Sequence, residues 1–210
     1  MSRSGQGEGR HEPVPLQGGA DSGMNRSPGL ILDRDGVINH DTGFLHRIEE
    51  CRFVDGIFEL AAAFRDRGFR LAIATNQSGI GRSYFEAADF RRLMAWILAR
   101  FRDHGIVIEG VYHAPDHPTE GIGRYRRDTP WRKPGAGMLL QAIADLDLDP
   151  ARSWAIGDRP GDMAAAAAAG IGHCVLLAPE ASDPTLWRDG HWTVSSLAAI
   201  APLLAAAEPG

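Results

Sequence analysis

With 210 residues, 44% hydrophobic and 23% charged, the chain can bury one sizeable core and is short for two, so a single-domain monomer is expected. Lys plus Arg 22 against Asp plus Glu 27 leaves a formal charge of −5, which excludes the global basic field of a nucleic-acid binder; any anionic ligand must be held by local charge. Cys51 and Cys174 lie far apart, and neither a secretory hydrophobic region nor a span-length apolar run is present, which points to a reduced cytoplasmic protein with no membrane partner.

Residues 1–28 are rich in Gly, Ser, Pro and charge without a hydrophobic period, so they are expected to be a disordered tail, with Met24 a candidate start and 29–210 the folded domain. Leu30-Ile31-Leu32 begins a series of short apolar strands alternating with helical patterns. Ile57, Leu60, Ala61 and Phe64 fall at i, i+3, i+4 and i+7, and Gly68 stops that helix. Phe69–Ala74 reads as a strand entering a polar turn, Phe90, Leu93, Met94, Ile97 and Phe101 as the face of a second helix, and Val107–Tyr112 as a strand. An irregular loop from Pro115 to Pro134 precedes a helix carrying Leu139, Leu140, Ile143 and Leu146. Strand Ser153–Ile156, small-residue helix Ala164–Ala169, strand His173–Leu177 and a closing helix near 197–206 complete the pattern. This alternation predicts an α/β fold, a Rossmann-like parallel sheet with helices on both faces.

In such sheets ligands bind beyond the carboxyl ends of the strands, near the switch point in strand order. The segment LILDRDGVIN runs an apolar strand into two acids that flank an arginine. Asp33 and Asp35 follow the first strand, Thr75 the second, Lys133 precedes a helix, and Asp158 and Asp162 follow a later strand. Carboxylates crowded on one rim repel unless a cation holds them, and an oxygen-only set suits Mg²⁺. A carboxylate can be the nucleophile of phosphoryl transfer while a second protonates the leaving alkoxide and then activates water; Asp33 and Asp35 fit these roles. Thr75 can hydrogen-bond the phosphoryl oxygens and Lys133 can neutralise their charge. A lone Asp-x-Asp after a strand is as often a turn as a site, but the ordered set is far more specific.

That set, DRDGV, TNQSG, RKP and GDRPGD, resembles the four motifs of the haloacid dehalogenase (HAD) superfamily of phosphohydrolases, from Leu30 to about Leu177. LDRDGVIN, Gly43-Phe44, VDG at 54–56, TNQSGIGR and RKPGAGML look most like its heptose 1,7-bisphosphate phosphatases and the related histidinol-phosphate phosphatases. The resemblance implies a fold without a large cap, hydrolysis of a small phosphate ester through an aspartyl-phosphate, a heptose 1,7-bisphosphate as first substrate and histidinol phosphate as the alternative. It implies Asp33 as nucleophile, Asp35 as acid/base, and Thr75 and Lys133 at the phosphoryl group. Asp33, the backbone carbonyl of Asp35 and Asp158 would hold Mg²⁺, supported by Asp162. Asp41, Thr42, Gly43, Phe44, Asn76, Gln77, Ser78, Arg132 and Arg159 match substrate-contacting positions, Arg159 standing where lysine is often found. A receiver-type signalling module is the reading from another class, and Asp35, which a receiver does not need, argues against it.

Two expectations concern the long loop. Arg124, Arg126, Arg127, Arg132 and Lys133 could grip a second phosphate, although for the first three a solvated surface is as good an account. Many of the similar phosphatases staple this loop with zinc through Cys-x-His and Cys-x-Cys pairs. Here Ala114 and Asp116, and Thr129 and Trp131, occupy those places, so no structural zinc is expected and Trp131 is a candidate apolar anchor.

Overall fold

The computed structural model describes residues 26–182 and 185–207. Seven strands form one sheet in the order β3-β2-β1-β4-β5-β7-β6: β1 (Ser27–Leu32), β2 (Arg70–Asn76), β3 (Ile108–Ala114), β4 (Leu148–Gly157), β5 (His173–Leu177), β6 (Thr185–Arg188) and β7 (His191–Val194). Every neighbouring pair is parallel except β6 with β7. The helices are α1 (Ile57–Arg65), α2 (Ser78–Gly81), α3 (Ala87–Asp103), α4 (Gly137–Asp145), α5 (Pro160–Ala168) and α6 (Ile200–Ala206), the last entered through a 3₁₀ turn at Leu197–Ala199.

Alternation along the strands divides the core into two layers. Leu30, Leu32, Leu71, Ile73, Trp154 and Ile156 meet α1, α3 and α6 on one face. Ile31, Ala72, Ala74 and Ala155 meet α4 and α5 on the other. All five apolar residues read as the α3 face are buried, as are the four of α1. The second layer is built from small residues: Ala165 and Ala166 of α5 are fully buried over the sheet, as the alanine run suggested. That shallow layer also corrects α4. Its buried stripe is Met138, Leu139 and Ala142, and Leu140 points outward at 50% exposure.

Three boundaries move and a hairpin is added; β4 begins at Leu148, well before the expected Ser153. β1 begins at Ser27, so Ser27 and Pro28 belong to the domain and not to the tail; residues 1–25, including Met24, lie outside the described residues. α5 starts at Pro160, before the alanine run, because proline suits a first helical turn and the Asp162 carboxylate accepts the Arg159 backbone N–H at 2.9 Å. The β6–β7 hairpin was not anticipated, although Asp189-Gly190, both at positive φ (50° and 82°), is a strong two-residue hairpin signal between flanking tryptophans. The hairpin makes the sheet mixed at one edge.

Candidate active site

The strand order places β1 between β2 and β4, with the chain reversing its direction of travel across the sheet at β1 and β4. The carboxyl ends of β1 and β4 carry the predicted acids and that of β2 carries Thr75, as the switch-point rule requires. Asp33 leaves β1 with its N–H bonded to the Ile156 carbonyl at 2.9 Å, which fixes it beside the end of β4. Asp33, Asp158 and Asp162 each bring a carboxylate oxygen within 4.8 Å of the others. The backbone is shaped for this approach. A Cβ on Gly36 would lie 2.3 Å from a carboxylate oxygen of Asp158, and one on Gly157 would lie 2.2 Å from the Asp162 Cβ.

Electrostatics show what the three acids lack. Burial, then Asp162, pushes the Asp33 carboxyl up to about 7 against the opposing pull of Lys133. Burial and Asp162 also raise Asp158, one of whose oxygens, Oδ1, is buried without a partner. A divalent cation relieves both the repulsion and the orphaned oxygen, so the oxygen-only set fits Mg²⁺. Asp162 is more committed: Oδ1 lies 2.6 Å from Lys133 Nζ and Oδ2 caps α5, which suits a supporting place. Lys133 Nζ also lies 3.0 Å from Asp33 Oδ1 and donates to the Ala74 carbonyl at 2.8 Å. Burial alone would lower this ammonium, but Asp33 and Asp162 outweigh it and hold it above its ordinary range.

A cavity of about 340 Å³ opens over this floor, lined by Asp33, Asp35, Asp41, Gly43, Phe44, Thr75, Asn76, Gln77, Ser78, Lys133, Arg132, Arg159 and Asp162 among others. Thus nearly every residue read from the sequence converges. Asp158 sits in the carboxylate group beneath, and Thr42 is exposed and does not line the cavity. Several lining side chains face each other more than the empty space. The Asn76 side chain bonds the Lys133 backbone in both directions, donating at 2.9 Å and accepting at 3.1 Å, so it fastens the lysine to β2. Gln77 Nε2 donates to Asp35 Oδ2 and Thr75 Oγ1, each at 3.0 Å. Asp41 takes the Gly43 N–H and pairs with Arg159 at 2.7 Å.

The mouth is cationic. Arg132 is pushed below the ordinary arginine range by burial, then by Arg82 and Arg159, a crowding of guanidiniums that an anion would relieve. Arg82 and His117 line the cavity but were not singled out as site residues. Arg82 closes the quoted TNQSGIGR segment, which was its available signal; His117 had none. The Arg82 guanidinium lies 5.3 Å from the ring centre of Phe44 and 5.6 Å from that of Tyr84, and its carbon stem brings it against Glu120.

The long loop needs a correction. Of its five basic residues only Arg132 and Lys133 line the cavity. Arg127 instead forms a two-pronged pair with buried Asp116 (2.8 and 3.2 Å), while Arg124 lies over Tyr125. The loop closes on itself because Asp116, once buried, requires a cation. Arg132 donates to the Asp116 carbonyl at 3.2 Å; Trp131 packs partly buried against the second core layer, the apolar anchoring expected, and its indole N–H adds a polar one by donating to the His113 carbonyl at 2.9 Å.

With this geometry in place, a family model described as HAD-hydrolase-like matches residues 130–199. Over 148 residues the chain is 47% identical to the D-glycero-alpha-D-manno-heptose-1,7-bisphosphate 7-phosphatase of Burkholderia mallei, covering 70% of this chain and 78% of that protein. The chain belongs to the HAD-like phosphatases. This phosphatase is also 42% identical over 149 residues to the D-glycero-beta-D-manno-heptose-1,7-bisphosphate 7-phosphatase of Haemophilus ducreyi, covering 70% and 81% of the two chains. The crystal structure of D,D-heptose 1,7-bisphosphate phosphatase from B. bronchiseptica, complexed with magnesium and phosphate, matches with a TM-score of 0.70 at 26% identity, over 86% of this chain and 99% of that one. As a HAD-like phosphatase the chain is a phosphoric monoester hydrolase, not a receiver module. Among the described residues no helix is long and apolar enough to cross a membrane.

Proposed function

We propose that this phosphatase is a Mg²⁺-dependent heptose 1,7-bisphosphate 7-phosphatase. The observation that carries the reading is a single cavity with two unlike charge environments: a cluster of three carboxylates, Asp33, Asp158 and the buried Asp162, at and beneath its floor beside Lys133, and Arg82, Arg132 and Arg159 at its mouth. A monophosphate needs only the first. A substrate with phosphates at both ends uses both, and the named activities of the relatives in Burkholderia mallei and Haemophilus ducreyi support a heptose between them.

In this reading Asp33, the backbone carbonyl of Asp35 and Asp158 hold the ion, with Asp162 in support. Bound Mg²⁺ supplies charge neutralisation at the phosphoryl oxygens. Asp33 attacks phosphorus, the leaving oxygen takes a proton from Asp35, and water deprotonated by Asp35 hydrolyses the aspartyl-phosphate. Lys133 and Thr75 face the transferring group, and because Lys133 is fixed by Asn76 and the Ala74 carbonyl its charge needs no rearrangement during reaction. Arg132 and Arg159 bind the distal phosphate, with Asp41 holding Arg159 in place.

We extend the proposal to a cytoplasmic monomer. Two buried free cysteines suit a reducing setting, and sedimentation at working concentration checks the assembly. The deciding experiment is a phosphate-release screen with Mg²⁺ over both anomers of the heptose bisphosphate, histidinol phosphate and common sugar monophosphates. The heptose bisphosphates are expected to show the highest kcat/KM. A higher value for histidinol phosphate would replace the proposed substrate.

A further inference from the structure

Arg34 stands between the two catalytic carboxylates and has no part in the steps above. It is fully buried, at 0% exposure. Its Nε donates to Asp35 Oδ1 at 3.0 Å, and one terminal nitrogen lies 2.5 Å from both oxygens of that carboxylate while also donating to the Leu45 carbonyl at 3.1 Å. The other terminal nitrogen is buried without a partner, and the guanidinium carbon lies 6.0 Å from the centre of the Phe90 ring. Taking a guanidinium out of water is costly, and a well-packed apolar residue commonly serves a core at least as well as an ion pair. Core stability therefore gives a weak account of Arg34.

The partners of Asp35 suggest a better one. Oδ1 takes Arg34 and the Asn39 amide, the latter at 3.0 Å, whereas Oδ2 takes Arg34 and Gln77. Gln77 divides its amide between Asp35 and Thr75, so it is an exchangeable partner. Arg34, enclosed on every side, is not. We propose that Arg34 is a positioning residue whose planar fork holds the Asp35 carboxylate in one plane, so that Oδ2 exchanges Gln77 for the reacting oxygen without rotating. As the ester O–P bond breaks, the proton on Oδ2 passes to the leaving oxygen; as water then attacks the aspartyl-phosphate, its proton returns to Oδ2. The gain is geometric, because a proton moves only between atoms already held at hydrogen-bond distance. This inference rests on the acid/base reading of Asp35.

The test compares Arg34→Met, Arg34→Lys and Asp35→Asn in the full chain with saturating Mg²⁺. The substrates are p-nitrophenyl phosphate, whose leaving group needs no proton, and an alkyl sugar phosphate that the wild type hydrolyses. In the first turnover, which reads release of the leaving group and not the hydrolysis of the aspartyl-phosphate shared by both substrates, Arg34→Met is expected to lose about 10²-fold in rate on the alkyl ester and no more than about 5-fold on the aryl ester, with the half-saturating concentration within about 2-fold on each. Arg34→Lys, which keeps the charge and lacks the fork, should fall between wild type and Arg34→Met. Equal losses on both esters, or no loss, would overturn the proposal. If Arg34→Met does not fold, the same ester comparison in Arg34→Lys decides it. Selective loss in Asp35→Asn with none in the arginine variants defeats positioning alone. Equal loss on both esters in Asp35→Asn defeats the acid/base reading itself and the proposal with it.

Discussion

The floor of the cavity and its mouth are built on opposite plans. At the floor, Thr75, Gln77 and Lys133 are buried, their polar atoms are tied to strand ends or to one another, and the acids approach through glycines that admit no side chain. At the mouth, Phe44 and Tyr84 are 41% and 57% exposed, Arg159 pairs with Asp41, Arg82 meets Glu120 and the Phe44 ring, and Arg132 donates to the Asp116 carbonyl of the loop. A reaction that develops charge at one fixed point benefits from dipoles that do not reorganise, which a strand end supplies. Recognition of a distal group tolerates adjustment, and loops supply that. The division assigns turnover to the floor and substrate choice to the mouth.

The largest effect that would break this division is at the floor. Asp33→Asn is expected to reduce kcat by about 10⁴-fold or more under saturating Mg²⁺. Retained turnover would place the nucleophile elsewhere. The next effect sharpens the contrast. Arg132→Ala should raise KM for the heptose bisphosphate about 10- to 100-fold, the loss of a charge-assisted contact, while kcat stays within about 3-fold and KM for a sugar monophosphate scarcely moves. An equal rise for the monophosphate would mean that Arg132 serves the transferring phosphoryl group.

Smaller again is the loop that carries Arg132. Arg127→Gln leaves the Asp116 carboxylate buried without its cation, and Tm should fall by about 2 to 8 °C. The exchange Asp116→Arg with Arg127→Asp tests whether the pair itself is responsible, and failure of Arg127→Gln to lower Tm would show the loop braced by Trp131 and its neighbours instead. The smallest expected effect is on pH. Burial holds His113 and His173 below the ordinary 6.5. The unfolded chain therefore binds these protons first, so stability present above 6.5 is lost as pH falls through that value toward the lower folded pKa values. The Asp33 carboxyl, raised to about 7, acts in the opposite direction over the same window, so the histidine contribution is read as a difference: in thermal melts from neutral to mildly acid pH, the Tm of His173→Gln should rise relative to that of the wild type as pH falls. A constant difference between the two would mean other groups set the pH dependence.

Much of the floor was legible because its signals are local. Asp33 and Asp35 end an apolar run, Asp158 and Asp162 end another, and each helix face repeats within a few residues. The hairpin was legible too, in Asp189-Gly190, but two four-residue strands are a weak pattern beside longer neighbours. The mouth was less so. Thr42, beside three lining residues, turns to solvent, and a loop has no period from which to read direction. Arg127 and Arg132 are both basic residues of one loop, yet one closes on Asp116 and the other faces the cavity.

By itself the sequence determined the alternation of strand and helix, the two-layer core and the acids at strand ends, since periodicity and motif spacing are properties of neighbouring residues. Only the tertiary structure decided that Asn76 fastens Lys133 from 57 positions away, that Arg82 and His117 join the cavity wall, and that Arg34 is enclosed against Asp35. These depend on which buried polar group meets which partner. A buried donor or acceptor needs some partner, but the requirement does not name it, and only the packed fold brings the two together.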